Sequence, residues 1–66
     1  MHQVVRVQYR DQVWEMDPRM TVRQLIEEVD LIPETVLAVR DGQLLSDDAV
    51  LEAGDEVKLI AVISGG

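Results

Sequence analysis

From Gln3 to Tyr9 apolar and polar positions alternate, with Val5, Val7 and Tyr9 on one side and Val4, Arg6 and Gln8 on the other. That is the period of a half-buried β-strand. Arg10-Asp11-Gln12 is short and polar, and alternation resumes over residues 13–17, with Val13, Glu15 and Asp17 opposite Trp14 and Met16. Two such runs across a short polar link predict a hairpin. Pro18, which has no backbone donor, suits the end of the second strand.

The period then changes. Thr21 and Gln24 have the spacing of a capping box, which opens a helix over residues 22–29. Val22, Leu25, Ile26 and Val29 fall on one stripe that can cover one sheet. Pro33 forbids continuation. Arg19 and Arg23 lie near the positive end of the helix dipole and Glu27, Glu28 and Asp30 near the negative end, an order that costs helix stability. Arg23 and Glu27 offset little of it, being an i,i+4 pair in the weaker orientation. This acidic face reads as a solvated surface, tolerated because tertiary packing fixes the helix.

Residues 36–40 form a third strand, and Asp41-Gly42 has the chemistry of a tight reversal into Leu44-Leu45. Ser46-Asp47-Asp48 resembles the cap of a short helical turn through Leu51. Adjacent aspartates in a cap point apart, so they are not read as an acid–base pair. After the polar turn of residues 52–56, the last strand covers residues 57–63. Val57, Leu59, Ala61 and Ile63 are apolar, but so are Ile60 and Val62 on the opposite face. A strand apolar on both sides needs cover on both. One helix covers one face, so an exposed apolar patch is expected on the other.

This order lays one helix across a mixed sheet of four to five strands, with the first and last strands as parallel central neighbours. It is the α+β, β-grasp (ubiquitin-like) arrangement. Residues 1–63 are expected to form the single domain and residues 64–66 a flexible tail.

Composition narrows the chemistry. A chain of 66 residues can build one small core, burying about 60% of the surface exposed by the unfolded chain. An apolar share of 47% favours a folded domain over disorder. Cysteine is absent, which excludes disulfides, thiolate metal sites, iron–sulfur clusters and a side-chain persulfide. The only histidine, His2, lies at the terminus and is assigned no role. Trp14, Met16 and Met20 read as packing or edge residues. No nucleophile, base and oxyanion site can be assembled, so the chain is not expected to be an enzyme. A net charge of −7 disfavours direct nucleic-acid binding, steers the chain toward a basic partner and favours a monomer when free. No run is long and apolar enough for a membrane span, and a cytoplasmic location is expected.

The sequence ends Ser64-Gly65-Gly66 directly after its most apolar strand. Two glycines make an extended tether without Cβ atoms, able to thread a narrow channel and present a carboxylate for activation. The capped helix of residues 21–29, the run Val36-Leu37-Ala38-Val39-Arg40-Asp41-Gly42, the Gly54-Asp55 turn and residues 57–66 together resemble the ubiquitin-like sulfur carriers of the ThiS/MoaD type. The terminal stretch is most similar to the ThiS branch and the carriers for tRNA thiolation. It lacks the aromatic, proline-containing approach to the diglycine usual in molybdopterin-synthase small subunits.

The resemblance implies a cycle in which an E1-like adenylyltransferase uses ATP to adenylate Gly66. A sulfurtransferase or cysteine desulfurase then supplies sulfur, making a thiocarboxylate. The sulfur passes to a downstream synthase or thiolase, in thiazole, tRNA 2-thiouridine or molybdopterin synthesis. The carrier itself binds no cofactor and no metal. Gly65 and Ser64 are expected to be read as the tail, and Lys58, Ile60 and Val62 as the partner-binding face. Some relatives also conjugate to lysines of other proteins, the alternative role; Lys58, the only lysine, otherwise reads as an ordinary exposed strand residue.

Overall fold

A computed structural model describes residues 3–62. The expectations placed on His2, Ile63, Ser64, Gly65 and Gly66 lie outside these residues. In chain order the elements are β1 (Val5–Tyr9), β2 (Gln12–Met16), α1 (Val22–Glu28), a 3-10 turn (Pro33–Thr35), β3 (Val36–Arg40), β4 (Gln43–Leu45) and β5 (Glu56–Ala61). The strands form one sheet in the order β2-β1-β5-β3-β4. β1 and β5 run parallel, with Val7 opposite Val57, and the other neighbours are antiparallel. This is the β-grasp order expected from the sequence.

Turn chemistry sets the registers. Tyr9 pairs with Gln12 across the turn Arg10-Asp11, where Arg10 adopts a left-handed φ of 57°. That register starts β2 one residue earlier than the alternation suggested and ends it with Met16 opposite Val5, leaving Asp17 outside. Asp41 and Gly42 have φ of 55° and 78°, the paired positive values of a type I′ hairpin turn.

The capping box is complete: the Gln24 amide donates to Thr21 Oγ1 at 3.2 Å, and Gln24 Oε1 accepts from the Thr21 amide at 3.0 Å. At the other end Asp30 enters the left-handed region at φ 67°, its amide donating to Glu27 and that of Leu31 to Ile26. These two bonds make a Schellman closure with aspartate in the usual glycine place. The helix therefore stops before Pro33, which instead opens the 3-10 turn.

Ser46-Asp47-Asp48 begins no helical turn. The Ser46 hydroxyl donates to Asp48 Oδ1 at 2.9 Å, and the chain then extends so that Val50 bridges Thr21. The Leu51 amide donates to the Met20 carbonyl at 2.8 Å and the Arg19 amide to that of Leu51 at 2.7 Å. Pairing with the segment before α1 satisfies the backbone that a short helix would have satisfied itself, and it buries Leu51.

The core joins Val5 and Val7 of β1, Val36 and Ala38 of β3, and Val57 and Leu59 of β5 to Leu51 and to Val22, Leu25 and Ile26 of α1. No polar or charged side chain is buried among the described residues.

Candidate functional site

Strand alternation leaves the second side of the sheet without a helix. Leu59 is 2% exposed beneath α1, whereas Ile60, the next residue on β5, is 43% exposed on the far side. Ile60 pairs with Leu37 of β3, which is also exposed. Val39 pairs with Lys58 on one side and Leu44 on the other. The patch expected from the sequence is present, and it reaches across β3 to β4.

Toward β2 the same face becomes polar. Arg6 of β1 lies between Glu15 of β2 and Glu56 of β5, and its Nη2 is 3.6 Å from Glu15 Oε2. Both side chains are exposed, so this pair contributes about 1 kcal/mol at most. Lys58 lies in the next row, flanked by Gln8 and Val39. A shallow concavity of about 490 Å³ runs over this region, with Arg6, Val13, Val39, Glu56, Lys58 and Ile60 among its lining. Two cations and two carboxylates on the strands balance here, so the chain's negative charge is carried by α1, the turns and the loops.

Of the expected face, Lys58, Ile60 and Val62 are all exposed. Val62 follows β5 directly, and its amide donates to the Thr35 carbonyl at 2.9 Å. This bond fixes the last described residue against the 3-10 turn. Leu37, Val39 and Leu44 were missed at the sequence level. The signal was available, because Val36-Leu37-Ala38-Val39 is apolar on both strand faces in the same manner as β5.

The base of β5 is set by Asp55. Its Oδ2 accepts from the Glu52 amide at 2.9 Å and from Arg40 Nη1 at 2.8 Å. The Glu52 amide, followed by the Arg40 guanidinium, holds the Asp55 carboxyl below its ordinary value, against an opposing desolvation penalty. Among the described residues no cluster of acidic or histidine side chains is arranged to hold a metal ion. None of their helices is long and apolar enough to cross a membrane.

A helix-covered mixed sheet with parallel central strands and a bare second face defines a β-grasp protein. The ThiS family model matches residues 3–66, and the chain belongs to that family. It is also 36% identical over 66 residues to the sulfur carrier protein TtuB of Thermus thermophilus, with the whole of both chains covered.

Proposed function

We propose that this protein is a sulfur carrier whose cargo is held on the Gly66 carboxyl carbon. Membership of the ThiS family across residues 3–66, a span that includes Gly65-Gly66, carries this reading. The similarity to a protein named as a sulfur carrier agrees with it. A free carboxylate is a poor electrophile. Attack of its oxygen on the α-phosphate of ATP, with loss of pyrophosphate, turns that oxygen into a leaving group. A sulfur nucleophile from a sulfurtransferase then attacks the acyl carbon and displaces AMP. The thiocarboxylate that results serves thiazole or tRNA 2-thiouridine synthesis. The chain supplies the carboxylate, the narrow Ser64-Gly65 tether and a docking face. The adenylating enzyme supplies the ATP site.

The docking face is the outer side of the sheet around Lys58, Ile60 and Val62. Apolar residues at such a centre supply most of the binding energy of an interface. Intact mass spectrometry after incubation with ATP, an E1-like enzyme and a sulfur donor tests the reading. A species heavier by the difference between sulfur and oxygen, localised to Gly66, is the expected result. Gly66 recovered only in amide linkage to lysines of other proteins would establish a protein modifier instead.

A further inference from the structure

Three cations on or beside the sheet have internal company: Arg6 lies against Glu15, Arg40 against Asp55, and the Arg10 guanidinium stands 5.2 Å from the centre of the Tyr9 ring. Lys58 forms no ion pair among the described residues. Glu56 lies two positions away on the same strand face, and Asp41 borders the same concavity, but neither pairs with it. The strand neighbours of Lys58 are Val39 and Gln8, and Ile60 follows it along the outer face. A surface that covers Ile60 and Val39 therefore covers the lysine as well.

Burying an unpaired ammonium sacrifices its hydration with nothing in return, a loss that apolar contacts beside it would have to overcome. The cation can be accommodated at the centre of an interface when the arriving surface provides the opposite charge. We infer that the partner of this face presents a carboxylate side chain in an apolar surround, seated over Lys58. The inference rests on the reading that the adenylating enzyme docks here, and it specifies the chemistry of that enzyme's contact surface. Locally the contact has the sign opposite to the one suggested by a net charge of −7.

That opposition yields a test by direction. Lys58→Glu removes a positive charge and adds a negative one, taking the chain from −7 to −9. If bulk attraction to a basic enzyme governed the contact, this variant would bind more tightly. With a carboxylate over Lys58 it binds about tenfold more weakly or worse, while Lys58→Arg, which keeps the charge, stays within about threefold of the parent. The measurements are calorimetric affinity of the full chain for its E1-like adenylating enzyme and ATP–pyrophosphate exchange. In the exchange assay KM rises for Lys58→Glu and the rate at saturating carrier is unchanged. A parent chain that is not adenylated at all refutes the functional reading, independently of Lys58. With an active parent, unchanged or tighter binding by Lys58→Glu overturns the inference, as does a loss in Lys58→Arg equal to that in Lys58→Glu. If thermal melts show Lys58→Glu to be unfolded, Lys58→Gln replaces it: weaker binding supports the carboxylate, and unchanged or tighter binding overturns it.

Discussion

Arg40 at the end of β3 and Asp55 just before β5 are joined by a 2.8 Å bond from Nη1 to Oδ2. The same carboxylate oxygen accepts from the Glu52 amide, and the Asp55 carbonyl accepts from the Arg6 amide at 2.9 Å. One residue thus ties the start of β5 to the end of β3, the beginning of β1 and its own turn. The outer face depends on that alignment, because β5 carries Lys58 and Ile60.

Asp55 makes the stability acid-sensitive. Its carboxyl is held below the ordinary value of 3.8, so its contribution is fully present above that value and is lost as pH falls through the lower folded value. Asp55→Asn is expected to lower stability by about 1–3 kcal/mol at neutral pH, the scale of hydrogen bonds to charged groups. The gap between parent and variant closes as both are taken below the ordinary carboxylate range. Urea melts across pH check this, and a constant gap down to the most acid condition contradicts it.

Leu59 and Ile60 separate folding from docking. Leu59→Ala opens a cavity in a small core and is expected to cost about 2–5 kcal/mol. Ile60→Asp acts on an exposed position, so most of the thermal stability remains while binding to the adenylating enzyme is lost. Melting curves and pull-downs of both variants decide the matter. An unfolded Ile60→Asp chain, or a folded one that binds normally, assigns this face wrongly.

Tail variants test the chemistry. Deleting Gly66 is expected to abolish ATP–pyrophosphate exchange without changing the melting temperature. Gly65→Val adds a branched Cβ where a threaded tail requires a narrow, permissive backbone, and activation is expected to fail as well. Normal exchange by either variant refutes the proposed role of the diglycine.

Salt is expected to act mainly on encounter. The negative charge lies on α1, the turns and the loops, and its long-range attraction to a basic enzyme is screened as the Debye length falls to about 3 Å at 1 M salt. The association rate is expected to fall over that range, whereas dissociation, governed by the apolar patch, changes less. Stopped-flow association at several salt concentrations measures this, and a salt-independent rate removes long-range steering from the account.

Strand alternation made the fold legible, because Val5, Val7, Val57 and Leu59 read as core and occupy it. Thr21 and Gln24 were equally legible, since both bonds of the capping box lie within one turn of chain. What was missed depends on partners distant in sequence. Residues 46–51 read locally as a cap, but pairing of Val50 with Thr21 extended them. Asp30 ended the helix from a left-handed conformation, a place where glycine is the stronger signal. The Arg40–Asp55 bond spans 15 residues and has no short-range signature. The outer patch was half legible: the apolar run of β5 exposed its logic, and the same logic in β3 went unused.

Pairing β1 with β5 makes the domain cooperative end to end, since the first strand finds its central neighbour only in the last. Contacts that join distant parts of a chain raise contact order, so closure of this pair is a late and decisive folding event. β5 pairs with β3 on its other edge, so it cannot melt alone without opening both halves of the sheet. A partly unfolded carrier retaining a usable docking surface is therefore not an available state. Recognition of the bare face doubles as a proofreading step, committing ATP only to chains that have folded completely.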